Sequence, residues 1–465
     1  MLLGPSGVGL IGLLQSLMTW GGTLAAMGLG TVGARAVADS NAHHADGRAS
    51  STYKMLKLAL AILGTLGAAA FLVFQGPISR LVLGNGEFDT TVGWLGLGVL
   101  CTAMAGAHSA YLRGMRRVGD QAKVTAFSAA ISTALAIGAV YIFGNDGVVA
   151  FVVLGPVANF MFASWYASKV GSAGTMDAPS LALRSEWSKV WRAGLAFMIT
   201  GVVVAGSHLA LRAIVRSELG IAQLGLFQAS WMITIAYIGF VVTAMSNDYY
   251  PRISEIISKN GNLAHAINQQ TDLILLVATP LLLAMQSLAP VVLWVLYTDE
   301  FMAAENVLRW QLFGDTLKIV SWPLGMVALA AGDSKTYMRN ESSVSLVFLA
   351  LGWASIHVIG LVGVGISYFI MYALYFPLVY WQVRRRYAFG YTRSVLRGLY
   401  LLLSSSALVF GLCVVSPFTG ATIGVILSFV FAVRGIGLIW RQSHFGGVLG
   451  YVGRTCDRVI SRMGM

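Results

Sequence analysis

Apolar residues in this chain fall into thirteen long runs separated by short polar segments. They lie at roughly 8–32, 55–74, 91–111, 123–143, 148–168, 191–213, 222–246, 271–295, 307–331, 342–358, 361–383, 398–416 and 420–440. Each run approaches the ~20 residues that carry a helix across a hydrocarbon core. Val, Leu, Ala and Gly are mixed all round within the runs, without period-two alternation, so helices rather than barrel strands are expected. The pattern predicts an all-α, polytopic membrane protein of about thirteen spans.

A longer period overlies the first. Gly7, Gly12, Leu13 and Gln15 recur 213 positions later as Gly220, Gly225, Leu226 and Gln228. Pro77, Val82, Leu83, Glu87 and Phe88 recur as Pro290, Val295, Leu296, Glu300 and Phe301, and Gly119-Asp120 recurs as Gly332-Asp333. One offset fits all three regions, which predicts two repeat-related helical lobes around a central cavity. The expected organisation is an N-lobe at 1–168 with five visible spans, a cytoplasmic linker at 169–190 containing Pro179, and a C-lobe of six spans at 191–383. An additional helix pair at 384–440 and a basic cytoplasmic tail at 441–465 complete it, the tail read either as a surface helix or as a frayed end. The second copy follows the span at 191–213, whereas the first begins at Met1 with nothing ahead of it, so the first helix of the pattern is expected to be missing.

Composition agrees with the membrane reading. Hydrophobic residues make up 57% and charged residues 11% of the chain, about half the charge of a soluble domain. Its mean hydropathy is +0.74. The net charge of +12 sorts by side. With the 34–54 loop placed in the cytoplasm, alternation puts 25 of the 31 Lys and Arg on that face, among them Arg113, Arg116, Arg117, Arg384, Arg385 and Arg386. The opposite loops keep Arg80 and Arg216 beside Glu87, Asp89, Asp146, Glu218, Asp299 and Glu300. This positive-inside pattern leaves the C-terminus cytoplasmic. The basic balance is a topology signal and not a nucleic-acid interface, since no basic-aromatic module is visible.

No motif calls for a cofactor or a metal. Cys101, Cys413 and Cys456 are scattered, with no CxxC. His43-His44 sits in a polar loop and reads as a solvated surface pair. Gly-rich pieces such as Gly7-Val8-Gly9 and Gly28-Leu29-Gly30 lie in apolar runs, where glycine allows close helix packing. No extramembrane segment is long enough for a catalytic domain, so the chain is not expected to be an enzyme.

Polar residues inside spans are costly and usually face a cavity or a partner. Gln311, Asp315, Lys318 and Trp322 fall at i, i+4, i+7 and i+11 of one span, on one helical face. Asp315 and Lys318 are close enough to pair. Two readings stand: a lumen-lining stripe for a charged substrate, or a self-satisfied pair that fixes packing. The repeat partners Gly98, Thr102, Ala105 and Ser109 lack charge, so any charge chemistry is asymmetric. His208 and Arg212 form a second stripe at i, i+4, where Arg212 either receives a phosphate or snorkels to the interface. Gln15 and Gln228 are repeat-related and suit either substrate contact or an interhelical hydrogen bond. Asp272 and Arg434 read as interface or packing residues. Pro280, Pro323 and Pro377 interrupt spans.

Several of these residues carry a resemblance. Leu3-Gly4-Pro5-Ser6-Gly7-Val8-Gly9-Leu10-Ile11-Gly12-Leu13-Leu14-Gln15 resembles the signature of O-antigen translocases, the Wzx-type flippases of the multidrug/oligosaccharidyl-lipid/polysaccharide (MOP) exporter superfamily. Trp310-Gln311-Leu312-Phe313-Gly314-Asp315-Thr316-Leu317-Lys318 is similar to a second segment of that family, and Asp248-Tyr249-Tyr250-Pro251-Arg252 to the end of its eighth helix. The resemblance implies a flippase of lipopolysaccharide biosynthesis in the bacterial inner membrane. Its cargo would be undecaprenyl-pyrophosphate-linked O-antigen or polysaccharide repeat units, carried between leaflets by alternating access. It also implies membrane lipids, a polysaccharide polymerase and chain-length machinery as partners, with H+ or Na+ coupling left open and Asp315 as the candidate for it. A lipid II-type flippase and a multidrug antiporter of the same superfamily remain alternatives.

Overall fold

The computed structural model describes residues 3–42, 48–84, 86–144, 147–170, 181–443 and 455–456. Among the described residues there are helices and connecting turns but no strands. Among the described residues, thirteen helices are long and apolar enough to cross a membrane, one for each expected run. By contact the chain divides into two compact units, Met1–Gly225 and Leu226–Met465. Most of the basic tail, His43-His44 and Pro179 lie outside the described residues.

The first unit holds α1 (Gly4–Ala26), α2 (Leu29–Ala42), α3 (Arg48–Val73), α4 (Gln75–Leu83), α5 (Asp89–Gly114), α6 (Val118–Phe143), α7 (Gly147–Ser168) and α8 (Leu181–Leu219). Helix α5 lies at its centre, packed on α1, α2, α3 and α7. Its inward positions are small: Gly96, Gly98, Ala103, Ala105, Ala107 and Ala110 are all buried. Small residues let helix backbones approach, which drives association where lipid is as apolar as leucine. The outward face of α3 instead shows Leu58, Ile62 and Leu66, spaced at i, i+4 and i+8 and exposed as a lipid-facing surface requires.

The second unit holds most of α9 (Ile221–Ser258), then α10 (Leu263–Ser287), α11 (Ala289–Leu296) and a 3-10 turn at Asp299–Ala304. Helices α12 (Glu305–Ala330), α13 (Ser334–Ile359), α14 (Leu361–Tyr387), α15 (Arg393–Val415) and α16 (Pro417–Ser443) follow. Helices α12 and α14 form its closest pair, and two glycines set that distance. A Cβ on Gly314 would stand 2.7 Å from Cδ1 of Tyr368, and one on Gly365 would stand 2.9 Å from the Val307 carbonyl oxygen. Helix α10 packs on α12, α15 and α16. One apolar cluster joins Ile274, Leu275, Leu282, Ile319, Val320 and Leu402. A second joins Tyr249, Ile253, Ile267, Leu324, Val379 and Phe389.

Two spans are cut differently from the sequence expectation. The run at 8–32 is broken, because α1 ends at Met27 (φ +45°) and α2 starts after Gly28 (φ +66°). A Cβ on Gly28 would lie 2.3 Å from the Gly194 carbonyl oxygen, so the break needs glycine both for its backbone and for the approach of α8. The stretch expected as a loop from 34 is therefore helical to Ala42. The repeat position of Gly28 is Val241, and there α9 runs on without a break. The run at 271–295 is also two elements. Helix α10 begins eight residues earlier, at Leu263, and stops at Ser287. Pro290 then sits in the first turn of the short α11, where its missing N–H costs nothing. Helix α4 occupies the repeat-related place in the first unit.

Candidate functional site

Helix α12 brings charge into the middle of the second unit. Asp315 is fully buried, yet both of its oxygens are satisfied by phenols from other helices. Tyr237 on α9 donates its hydroxyl to Oδ2 at 2.5 Å, and Tyr368 on α14 donates to Oδ1 at 2.8 Å. Lys318 is one turn along α12. Its Nζ donates to the Tyr368 hydroxyl at 3.0 Å and lies 3.9 Å from Asp315 Oδ1. A directional chain results, Lys318 to Tyr368 to Asp315, with Tyr237 closing the other side. The hydroxyl of Tyr368 can serve as donor and acceptor at once, which a carboxylate or an ammonium cannot.

Access separates the two charges. The Asp315 side chain has no exposed surface, whereas that of Lys318 is 26% exposed. The ammonium also lies 5.6 and 5.7 Å from the ring centres of Tyr368 and Tyr372, within cation–π range. Glu341 on α13 is within electrostatic reach of it and accepts from the Tyr375 hydroxyl at 3.4 Å. The arrangement therefore offers one partly exposed lysine side chain, joined to a buried carboxylate through a tyrosine. An ammonium so placed can contact an anionic group while its bond to Tyr368 holds it in position.

The other members of the stripe part company. Gln311 is fully buried and accepts at Oε1 from Thr234 on α9 at 3.2 Å. Its Nε2 is buried with no partner among the described residues. Trp322 packs between the two apolar clusters, its ring 5.6 Å from that of Tyr249. Arg309, passed over in the sequence, is only 2% exposed and pairs with Glu305 at 2.6 Å, one turn back on α12. Gln228 is buried in the same unit.

In the first unit, Arg212 is buried on α8 and donates to the backbone oxygen of His208 at 3.1 Å. Gln15 is half-buried on α1. A separate polar cluster there escaped sequence reading. Tyr53 on α3 meets Nδ1 of the buried His108 at 2.6 Å and stacks on Tyr111 at 4.1 Å. The unit also holds a cavity of about 1090 Å³ with apolar walls, Leu10, Leu14, Trp94 and Leu97 among them, and with Glu87 and Arg216 as its charged members. Among the described residues, no group of three or more His, Cys, Asp or Glu is placed to hold a metal ion.

Charge does not mark these tyrosines in the sequence, but their spacing does. Tyr368, Tyr372 and Tyr375 fall at i, i+4 and i+7, which marks one face of α14. Trp231, Thr234 and Tyr237 step along α9 in threes, and Trp231 meets Tyr368 edge-on at 5.7 Å. Glu341 lay one residue outside the expected span 342–358, whereas α13 begins at Ser334. At the repeat-related places of Tyr237, Asp315 and Tyr368 the first unit has Leu24, Thr102 and Gly155, so the asymmetry covers the whole network.

Residues 1–306, two thirds of the sequence, match the family described as polysaccharide biosynthesis protein. The chain belongs to that family. The matched region ends ahead of the polar stripe on α12, so the reading of the stripe rests on its geometry. Over 385 residues the chain is 23% identical to the lipid III flippase of Escherichia coli (strain K12), covering 81% of this chain and 89% of that protein. Among solved structures, it resembles an inward-facing multidrug resistance MATE family transporter of the MOP superfamily, with TM-score 0.67 and 15% identity over 82% of this chain and 93% of that one. It also resembles the lipid II flippase MurJ in an inward closed conformation, with TM-score 0.66 and 12% identity over 94% of this chain and 97% of that one. At these identities the structures establish a shared fold.

Proposed function

We propose that this protein is a flippase of the bacterial inner membrane. It moves an undecaprenyl-pyrophosphate-linked O-antigen or polysaccharide repeat unit from the cytoplasmic to the periplasmic leaflet by alternating access. The observation that carries the proposal is membership of a polysaccharide biosynthesis family, joined to a relationship with a lipid III flippase along four fifths of the chain. The chemistry of α12 supports it. Pyrophosphate is a dense anion, and Lys318 is a partly exposed cationic side chain within a span. Asp315 holds that ammonium and is the place where a coupling proton would reside. Within the second unit, Gln311, Trp322 and Gln228 are the amide and aromatic candidates for sugar contacts; within the first, Gln15, His208 and Arg212 are separate polar candidates. The C-terminus is cytoplasmic, and a polymerase and chain-length machinery would take up the product.

A lipid II-type substrate is the second reading, favoured by a fold shared with a lipid II flippase over 94% of this chain. Complementation separates them. Expression in a strain lacking its O-unit flippase should restore surface polysaccharide. Rescue of a lipid II flippase depletion strain, with no return of O-antigen, would replace the first reading by the second.

A further inference from the structure

The second unit contains a basic groove that the transport reading does not use. Helices α10, α15 and α16 enclose about 340 Å³ near the start of α15. Arg393 and Arg397 stand one turn apart on α15, and Arg434 reaches the same space from α16. Among the described residues, none of the three lies within ion-pair distance of a carboxylate. The acid in the groove, Asp272, accepts instead from the Ser394 hydroxyl at 3.3 Å. The rest of the lining is mainly apolar: Leu275, Leu276, Leu401, Phe431 and Leu438.

Three arginines around one space repel each other unless an anion joins them. Arg434 sharpens the point. It lies nine residues before the end of α16, about 13 Å along the helix, in a run otherwise suited to lipid. The anion must also tolerate an apolar wall, because α16 turns Ile426, Phe429 and Ile436 outward. An anionic head on an apolar tail meets both demands. The positive-inside charge pattern puts this end of the helices in the cytoplasmic leaflet, where basic pockets between helices recognise anionic lipid heads.

We infer that this groove binds the phosphate of an anionic glycerophospholipid through Arg393, Arg397 and Arg434, with an acyl chain along Leu276, Phe431 and Leu438. The guanidinium forks match phosphate geometry. Asp272 is the one acid in the lining against three arginines, which leaves the arginines in excess. The site is distinct from the α12 network and stands whichever lipid the protein transports.

The test is native mass spectrometry of the purified full-length protein, titrated with phosphatidylglycerol and with phosphatidylcholine of the same chains. Phosphatidylglycerol should bind at least about tenfold more tightly, because the choline cation of phosphatidylcholine offsets its phosphate and is repelled by the three arginines. The triple variant Arg393→Gln, Arg397→Gln, Arg434→Gln should lose that preference. Arg339→Gln, a single charge loss on the exposed surface of α13 that matches Arg434→Gln, should keep it. If the triple variant does not purify as a single species, Arg434→Gln and Arg434→Lys carry the test: the first should weaken phosphatidylglycerol several-fold, the second less. Equal binding of the two lipids, or an undiminished preference in the arginine variants, would overturn the inference. So would displacement of phosphatidylglycerol by equimolar undecaprenyl phosphate, which would assign the groove to the carrier lipid.

Discussion

Replacing Asp315 by alanine removes the acceptor of two buried phenols and the partner of Lys318 in one step. A hydrogen bond to a charged group is worth about 1.5–3 kcal/mol net, and the losses here overlap because the two phenols share one carboxylate and Lys318 reaches it through Tyr368. At 3.9 Å the Lys318–Asp315 attraction is about 4 kcal/mol at an effective dielectric of 20. Desolvation and the partial exposure of Lys318 reduce its net worth to about 1–3 kcal/mol. Asp315→Ala should thus destabilise by about 3–5 kcal/mol and lower abundance. Lys318→Ala leaves a carboxylate that still accepts from Tyr237 and Tyr368, and should cost about 1–3 kcal/mol. The double variant should cost less than the sum, by the 0.5–3 kcal/mol of coupling usual for residues in contact. Thermal unfolding of the purified proteins and surface polysaccharide per unit of protein are the two measurements. The account expects the double variant to recover part of the stability and none of the export, since the accessible ammonium is gone. Lys318→Arg should keep part of the export, because charge survives while geometry changes. A double variant that restores both stability and export would reduce the pair to a packing device and refute the role given to Lys318.

Reporter fusions after Arg117 and Arg386 should read cytoplasmic, and those after Glu87 and Asp299 periplasmic; inverted readings at two of the four would overturn the orientation. Gly314→Val should cost about 1–3 kcal/mol of stability by thermal unfolding, since its Cβ would meet the Tyr368 ring and disturb the network behind it. Asp333 caps α13, accepting from the Thr336 backbone N–H at 3.1 Å and pairing with Arg386. The Thr336 N–H, and after it Arg386, hold its carboxyl below the ordinary 3.8. The stability it supplies is therefore complete above that value and is lost as pH falls through the depressed one. Asp333→Ala should cost about 0.5–2 kcal/mol at pH 7 and remove that share of the acid sensitivity in thermal melts.

Much of the fold was legible because a span announces itself by length and composition alone. Thirteen apolar runs became thirteen helices, and the repeat offset carried through to the paired short helices α4 and α11. The errors came where a local backbone event sits inside an apolar run. Glycine is common in spans, so Gly28 gives no hint in the sequence that the backbone breaks there with positive φ, and Pro290 lies within apolar surroundings that disguise a helix start. The site was half legible. Spacing brought Asp315 and Lys318 together, but not the phenols that bind them, because tyrosine in a span reads as an interfacial aromatic until its partner is known. The pairing of Tyr53 with His108 is likewise long in range, 55 residues apart and across two helices, and periodicity on one helix carries no trace of it.

Transport itself is the activity to measure. Purified protein reconstituted into liposomes with an undecaprenyl-pyrophosphate-linked oligosaccharide should expose the inner-leaflet pool to an external, membrane-impermeant glycosidase within minutes. The Lys318→Ala protein and empty vesicles should leave about half of the lipid protected. Protection equal to that of empty vesicles, in a preparation whose protein is folded and unidirectionally inserted, would contradict the flippase assignment.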